Sequence, residues 1–227
     1  MPLAICIAIV GAESTGKSTL ARELGAALAG EGRRVALVPE ALREWCDGAG
    51  RTPQAHEQSR ILELQHERID AAAAMHEIVV CDTTALMTAV YSRLVFADHT
   101  LEQRAAALHR GVSTTLLMAL DLPWMADGLQ RDGEPMREPV DAALRELLAR
   151  HGFGYSIVIG QGPMRLAQAR AALRTLLPPS TLQLEARDST SGLFTRLAAG
   201  HGERPSRGWA CECCVPEAES ALLAMRR

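Results

Sequence analysis

Two hydrophobic patterns alternate along the chain, beginning with a continuous apolar run at residues 3–10. Runs of this kind, rich in Val and Ile, are typical of strands that are buried on both faces of a parallel sheet. Between them, apolar residues recur every three or four positions, which is the spacing of amphipathic helices. The pattern predicts strands at 3–10, 35–38, 78–81, 115–120 and 155–159, and helices at 19–29, 55–75, 84–96, 101–109, 140–148 and 164–177.

The order of these elements predicts the fold class. Strands that alternate with helices imply right-handed crossovers, and therefore a five-stranded parallel sheet between two layers of helices, an α/β three-layer sandwich. We expect one domain over residues 1–179, followed by a short polar C-terminal extension over 180–227, because the apolar pattern stops there. Ligands of such sheets bind at the carboxyl ends of the strands, where the sequence has Glu40, Asp82 and Asp121.

The composition narrows the partners that such a domain can have. With 48% hydrophobic and 22% charged residues, the 227-residue chain can bury a substantial core. Its formal net charge is -3 and its basic residues are scattered, which argues against a nucleic-acid-binding surface. The first apolar run is too short to cross a bilayer and lacks the basic flank and cleavage site of a signal peptide. We therefore expect a cytoplasmic protein without membrane or nucleic-acid partners, which binds a small anionic ligand.

A phosphate-binding motif lies between the first predicted strand and the first predicted helix. Residues 11–18 read Gly-Ala-Glu-Ser-Thr-Gly-Lys-Ser, the full P-loop (Walker A) pattern. Glycine lets backbone N–H groups turn toward phosphate oxygens, Lys17 reaches the β- and γ-phosphates, and the Ser18 hydroxyl binds Mg²⁺. The motif predicts a P-loop NTPase fold, ATP and Mg²⁺ as cofactors, and phosphoryl transfer as the reaction. The predicted nucleotide-binding residues are Gly11, Glu13, Ser14, Thr15, Gly16, Lys17, Ser18 and Thr19.

Asp82 is the predicted carboxylate of the magnesium site. It ends an apolar strand in the way that a Walker B acid does, and it would contact the ion directly or through water. The same residue also stands where a side chain caps the following helix. The two roles are compatible, so both stay open at this point.

Together with the P-loop, three further segments resemble the ribosylnicotinamide kinase domain of the bacterial NAD-salvage regulators. They are Glu-Ala-Leu-Arg-Glu-Trp at 40–45, Ile-Val-Val-Cys-Asp-Thr at 78–83 and Pro-Trp-Met-Ala-Asp-Gly-Leu at 123–129. The last segment is the most specific, because generic P-loop proteins lack it. The resemblance covers roughly residues 4–175 and implies a nucleoside-kinase-like fold. It also implies transfer of the ATP γ-phosphoryl group to the ribose 5′-hydroxyl of nicotinamide riboside (NR), which gives nicotinamide mononucleotide.

The chain departs from the family pattern in three respects, the first of which is that the cysteine-bearing C-terminal extension lies outside the resemblance. The family's Asp-Thr-Asp after the third strand is Asp82-Thr83-Thr84 here, so one carboxylate is missing. The His-x-Gly-His motif of the adenylyltransferase domain that often precedes the kinase is absent from the sequence. These differences concern the acceptor more than phosphoryl transfer. The Asp-Arg pair that a thymidylate-kinase-like protein would have after the third strand is also missing.

Physical arguments assign an acceptor site within these segments. Glu40 ends the second strand, where a carboxylate either binds the ribose hydroxyls or accepts the proton of the attacking hydroxyl. Its alternative roles are a charge at a helix N-terminus or an ion-pair partner of Arg43, which we also place in the acceptor site. The pyridinium ring of NR is cationic and would be attracted to an aromatic face. We therefore predict stacking on Trp45, Trp124 or both, with core packing as the alternative.

Residues 127–137 form a polar, basic and glycine-containing segment that predicts a lid over the phosphates. Arg131 and Arg137 would stabilise the developing charge there, and a solvated loop is the alternative. Asp127 either binds the substrate or caps a turn. The predicted catalytic residues are Lys17, Glu40, Asp82, Arg131 and Arg137.

Three thiols crowd the C-terminal extension at Cys211, Cys213 and Cys214, with His201 upstream. They are zinc ligands, redox or intermolecular thiols, or part of an unliganded tail. A single Cys-x-Cys-Cys lacks the paired Cys-x-x-Cys spacing of structural zinc sites, and adjacent thiols fit one tetrahedral ion poorly. The spacing therefore disfavours zinc.

The predicted function is that of an ATP-dependent kinase with a small nucleoside-like acceptor, NR above others. Two alternatives remain. The acceptor is another nucleoside or nucleotide, or the chain is a regulatory module in which ATP binding orders the lid and tail for a partner without net phosphoryl transfer. Analysis of the products formed from ATP and a panel of nucleosides distinguishes these possibilities.

Overall fold

A parallel sheet of five strands forms the centre of the protein, in a computed structural model that describes residues 4–125 and 133–177. Across the sheet the strand order is β2-β3-β1-β4-β5. The predicted fold class is confirmed, and the ends of the predicted strands differ from the observed ones by two residues at most. The strands are β1 (Ile5–Val10), β2 (Val35–Val38), β3 (Ile78–Asp82), β4 (Thr114–Met118) and β5 (Ser156–Val158).

Seven α-helices connect or flank the strands within the described residues. The helix α2 was not predicted from the sequence, although its apolar residues have helical spacing; it is nine residues long and buries only Ala41 and Cys46. The last helix ends at Ala172 instead of at the predicted residue 177. The helices are α1 (Lys17–Gly30), α2 (Ala41–Ala49), α3 (Gln58–Met75), α4 (Ala85–Phe96), α5 (Thr100–His109), α6 (Arg137–Arg150) and α7 (Pro163–Ala172).

The central strand β1 contributes side chains to a separate core on each face of the sheet. Ala8 and Val10 pack with residues of α3, α4 and α6 on one face, and Ile7 and Ile9 pack with residues of α1 and α7 on the other. All four are fully buried. Burial of an Ile side chain contributes about 1.5–3 kcal/mol to folding, so this double-sided apolar run fixes β1 at the centre of the sheet.

The carboxyl ends of the strands meet at one edge of the sheet, as the sequence predicted. Asp82 at the end of β3 is in register with Ile9 of β1, and the Thr83 N–H donates to the Ile9 carbonyl at 3.1 Å. The P-loop leaves β1 at this level. Glu40 follows β2 at the same edge, and Asp121 follows β4. The edge therefore places the P-loop among the strand-end carboxylates.

The described ranges contain no helix that is both long and apolar enough to cross a membrane. The predicted C-terminal extension lies outside these ranges, so the domain boundary at 179 stays a prediction.

Candidate active site

Two glycines allow the P-loop to turn tightly between β1 and α1. Gly11 has a φ of 147° and Gly16 a φ of 79°, both in the region that favours glycine. A Cβ atom at Gly11 would lie 3.0 Å from Cβ of Met118, and one at Gly16 would lie 3.3 Å from the Arg165 guanidinium. Since α1 begins at Lys17, directly after the second glycine, the turn aims the helix N-terminus into the loop. This is the geometry that binds phosphate.

Side chains of the loop itself hold this conformation. The Thr15 hydroxyl and the Lys17 ammonium both donate to the Ala12 carbonyl, at 2.8 and 2.9 Å. Ser14 has a positive φ of 54°, an uncommon conformation for a residue with a side chain. Its hydroxyl donates to the Met125 carbonyl at 2.8 Å and lies 3.1 Å from the Met125 N–H, which donates to it. The loop is thus fastened to the segment that leads into the predicted lid.

Arg165 of α7 connects the P-loop to the ends of β4 and β5. It is only 5% exposed, its guanidinium donates to the Thr15 carbonyl and the Asp121 carboxylate, and its Nε donates to the Gly160 carbonyl at 2.5 Å. The Gly160 N–H in turn donates to Asp121 at 2.5 Å. Only the arginine of this ion pair is buried, since the Asp121 side chain is 33% exposed, and loss of the carboxylate would leave the buried charge without this partner. Asp121 is therefore a structural partner of this arginine, which keeps the P-loop in place.

The P-loop opens into a cleft with a volume of about 750 Å³. The structure brings Glu40 and Arg43 into this cleft together with six of the eight predicted nucleotide-binding residues, whereas Gly11 and Glu13 lie outside its lining. It adds residues that the sequence did not indicate, from α1 and from the segments after β4 and β5. The lining residues are Ser14, Thr15, Gly16, Lys17, Ser18, Thr19, Arg22, Glu40, Arg43, Leu122, Pro123, Met125 and Gln161.

On the side of Glu40, the cleft adjoins a small cavity. Lys17, Glu40 and Arg43 line both spaces, and Glu13 lines the small cavity. Tyr91 of α4 lines this cavity and donates its hydroxyl to Glu13 Oε1 at 3.3 Å. Two carboxylates therefore lie near the lysine that would contact the γ-phosphate. An acceptor hydroxyl needs such groups, which can bind it and orient its proton.

The side chain of Gln65 holds the backbone on both sides of Glu40 in place. The buried side chain of Gln65 in α3 accepts a hydrogen bond from the Ala41 N–H at 2.7 Å and donates to the Pro39 carbonyl at 3.3 Å. Arg43 Nε lies 4.0 Å from Glu40 Oε2, at the outer limit of an ion pair. The position of Glu40 at the mouth of the small cavity thus depends on Gln65, with a weaker contribution from Arg43.

One observation at Asp82 fits a bound magnesium ion, namely a buried carboxylate oxygen without a partner among the described residues. It is 7% exposed, and its Oδ1 is buried without a hydrogen-bond partner in the part of the chain that the structure describes. A buried carboxylate oxygen of this kind fits a cation that arrives with a ligand. The residue that precedes α4 is Thr84, so Asp82 does not occupy the capping position of that helix. No three His, Cys, Asp or Glu side chains gather as metal ligands within 4–125 and 133–177.

We expect Asp82→Asn to raise the Mg²⁺ concentration needed for half-maximal tightening of ATP binding by about tenfold, because it removes charge from the carboxylate that faces the ion. Calorimetric titrations of ATP at a series of Mg²⁺ concentrations measure this shift. Asp70→Asn, at an exposed position of α3, is the matched control. An unchanged Mg²⁺ dependence in Asp82→Asn would contradict the assignment.

Thr84, at the position of the family's second aspartate, contributes to the core instead. Its hydroxyl lies 3.3 Å from His109 Nδ1, and His109 Nε2 lies 2.9 Å from the Thr115 hydroxyl. Burial lowers the pKa of His109 to about 4, so the imidazole is neutral near pH 7. The missing carboxylate is thus replaced by an uncharged buried network.

The structure leaves several predicted substrate residues outside the cleft lining. The guanidinium carbon of Arg51 lies 4.9 Å from the ring centroid of Trp45. Trp124 follows Pro123, which lines the cleft, and its buried Nε1 has no hydrogen-bond partner among the described residues. Arg137 is buried at the start of α6 and donates to the Leu122 carbonyl at 2.8 Å. It therefore supports the segment after β4, and a contact of these side chains with substrate stays a prediction.

Some predicted residues lie outside the described ranges, so their roles also stay predictions. They are Asp127 and Arg131 of the proposed lid, and Cys211, Cys213 and Cys214 of the C-terminal extension.

Sequence reasoning missed four residues of the site, one of them close to the P-loop in sequence and three from distant parts of the chain. Arg22 stands one helical turn after Ser18 and donates to its carbonyl at 3.2 Å, so the i, i+4 spacing was a usable signal. Tyr91, Gln161 and Arg165 carried no such signal, since each belongs to a helix or loop whose position depends on the assembled fold.

A P-loop at the centre of a parallel sheet of this order defines a nucleotide-binding P-loop domain with a kinase-like fold. The chain belongs to a family of AAA domains (AAA_28), whose model matches residues 6–165. No curated protein matches it in sequence.

Solved structures share the fold. A structure of NadR protein in complex with NAD and AMP-PNP is similar with a TM-score of 0.61 at 20% identity, over 76% of this chain and 49% of that chain. A structure of NadR protein in complex with NR has a TM-score of 0.62 at 20% identity, over 76% of this chain and 50% of that chain. The structure of thymidylate kinase from Ehrlichia chaffeensis has a TM-score of 0.54 at 14% identity, over 78% of this chain and 100% of that chain. The chain thus spans about half the length of the NadR chains, and the resemblance stated from the sequence is confirmed in its fold.

Proposed function

We propose that the protein is an ATP-dependent kinase that phosphorylates the ribose 5′-hydroxyl of NR to give nicotinamide mononucleotide. The observation that carries the proposal is the cleft in which Lys17 and Ser18 of the P-loop face Glu40 and Arg43. The two NadR structures support it, because NadR binds NR in one and NAD with AMP-PNP in the other. A kinase that forms this product would act in NAD synthesis in the cytoplasm.

The described residues divide the reaction into two tasks. The P-loop backbone and the ammonium group of Lys17 bind the phosphates of ATP and neutralise the charge that develops on the γ-phosphoryl group. Glu40 orients the acceptor 5′-hydroxyl and accepts its proton while that oxygen bonds to the γ-phosphorus and the bond to the β-phosphate oxygen breaks. When bound, Mg²⁺ neutralises phosphate charge, and Ser18 and Asp82 are the residues that would hold it.

Three further assignments complete the proposal. Arg131 and Asp127 act in a lid that closes over the phosphates and the acceptor. Arg137 supports the base of that lid through the Leu122 carbonyl. Trp124 follows a cleft-lining proline and offers an aromatic face to a cationic ring.

Product analysis tests the proposal. The full chain is incubated with Mg²⁺, γ-labelled ATP and one acceptor at a time from a panel of NR, thymidine, deoxyadenosine and thymidine monophosphate. We expect labelled nicotinamide mononucleotide from NR, formed faster than any other labelled product. Preferential labelling of another acceptor would replace NR in the proposal. ATP binding without any labelled product would favour the regulatory alternative and refute the kinase assignment.

A further inference from the structure

A mostly apolar pocket lies next to the acceptor side of the cleft. It has a volume of about 130 Å³, and Leu42 and Tyr91 line both this pocket and the small cavity where Glu13 and Glu40 lie. The two spaces are therefore neighbours that share these side chains as walls. An acceptor whose hydroxyl lies near Glu40 would reach the pocket past Leu42 and Tyr91. The apolar part of the wall consists of Leu42, Cys46, Pro53, Tyr91, Val95 and Phe96.

The size and charge of the pocket favour a single cationic ring. A protein cavity of about 150 Å³ accepts benzene, so a volume of this order suits one six-membered ring. The rings of Tyr91 and Phe96 offer aromatic surface that attracts a cation. Burial raises the pKa of the Cys46 thiol, and the nearby carboxylates of Asp47 and Glu40 raise it further, against a smaller opposite effect of Arg51. At Cys46, the nearby carboxylates therefore outweigh the guanidinium of Arg51.

One polar group in the wall needs a hydrogen-bond donor. Gln58, the first residue of α3, is 4% exposed, and its Oε1 is buried without a hydrogen-bond partner among the described residues. A buried acceptor without a partner costs about 1–3 kcal/mol. Gln65, two turns further along the same helix, is also buried but uses its whole amide on the backbone around Glu40. Gln58 therefore differs from Gln65 in lining the pocket with an amide whose buried oxygen has no hydrogen-bond partner among the described residues.

We propose that Gln58 is a specificity-determining residue of the acceptor site, where its Oε1 accepts a hydrogen bond from the primary carboxamide of a cationic six-membered ring. The inference rests on the proposed kinase function and defines its acceptor more narrowly, and it places the cationic ring beside Tyr91 and Phe96 in place of Trp124. A carboxamide presents N–H donors, whereas a carboxylate on the same ring presents only acceptors and a negative charge. The site thus selects the amide form of a pyridinium riboside and rejects the acid form.

Acceptor analogues that differ at this one group test the inference. The wild-type chain is assayed at saturating ATP with NR, with nicotinic acid riboside, and with 3-acetylpyridine riboside, in which a methyl group replaces the amide nitrogen. We expect kcat/KM to be roughly tenfold to a hundredfold higher for NR than for the acetyl analogue, the factor that an unpaired buried acceptor produces. Nicotinic acid riboside should be the poorest of the three.

Gln58→Met keeps the length of the side chain but removes its whole amide group, including the carbonyl oxygen. We expect the preference for NR over the acetyl analogue to disappear in this variant, mainly through a higher KM for NR, while the KM for ATP stays unchanged. Gln103→Met makes the same change at an exposed position of α5 and should keep the preference. The midpoint of thermal unfolding checks that Gln58→Met is folded, and removal of a buried unpaired oxygen should not lower it.

The outcomes separate this inference from the proposed function. If NR is phosphorylated but the acetyl analogue is used equally well, or if Gln58→Met retains the preference, the inference is wrong and the kinase function stands. It is also overturned if Trp124→Leu removes the preference and Gln58→Met does not. If no acceptor is phosphorylated, the kinase function fails, and calorimetry with NR decides the inference. Binding at least tenfold weaker in Gln58→Met supports it, and equal or absent binding overturns it.

Discussion

Lys17→Ala is expected to lower kcat for phosphoryl transfer by roughly 1000-fold, while the midpoint of thermal unfolding stays within the range of the wild type. Removing one preorganised group that stabilises transition-state charge typically costs a factor of this size. The Lys17 ammonium contacts the Ala12 carbonyl inside the P-loop and lines the cleft, and it belongs to none of the apolar cores. Rates with the acceptor that the product analysis identifies, measured beside thermal unfolding, check both parts of this expectation.

The composition of the chain makes this experiment unusually specific. Lys17 is the only lysine in the sequence, whose other basic side chains are arginines and histidines. An amine-directed reagent can therefore modify only this side chain and the N-terminal amine. We expect ATP to protect Lys17 from modification, as mass spectrometry of the labelled peptide would show. Lys17→Arg is the matched variant, since it keeps the charge but replaces a compact ammonium with a planar fork. Near-normal turnover in Lys17→Ala would refute the role of the P-loop.

The part of the site that could be predicted from the sequence is the part made by contiguous residues or by strand ends. The P-loop is one segment, and its role follows from its own residues together with the strand before it and the helix after it. Glu40 and Asp82 could be placed at one edge because each follows a short apolar run, and parallel strands bring their carboxyl ends together. The fold class followed from the same alternation of patterns.

The rest of the site could not be predicted, because it depends on contacts between residues that are far apart in sequence. Arg165 reaches the Thr15 carbonyl across 150 positions, and Tyr91 reaches Glu13 across 78. In a helix pattern such residues look like ordinary polar positions. Gln58 gave even less indication, because what distinguishes it is the lack of a partner for its buried oxygen within the described residues. Such a property exists only after α2, α3 and α4 have packed together.

Glu40→Gln is expected to lower kcat about 100-fold at saturating acceptor, with a smaller change in the KM of the acceptor. The substitution keeps the size of the side chain and removes its capacity to take up the hydroxyl proton, and general-base catalysis typically contributes a factor of about 100 or more. Gln65 fixes the backbone on both sides of Glu40, so the amide should remain at the mouth of the cavity. Steady-state kinetics with separate kcat and KM values measure the effect.

The matched control for this variant is Glu44→Gln in α2, the helix that begins directly after Glu40. Glu44 is exposed and pairs with Arg68 at 2.7 Å, outside the cleft lining, so its replacement should leave kcat unchanged. The proton-accepting role also predicts that kcat of the wild type rises with pH and that this rise is lost in Glu40→Gln, whereas a residue that only binds the ribose hydroxyls would change KM and leave the pH profile intact. If Glu40→Gln instead lowers the free energy of unfolding by several kcal/mol and the folded fraction keeps its kinetic constants, Glu40 is structural. The proton acceptor must then be the other carboxylate of the small cavity, Glu13, which Tyr91 holds beside Lys17.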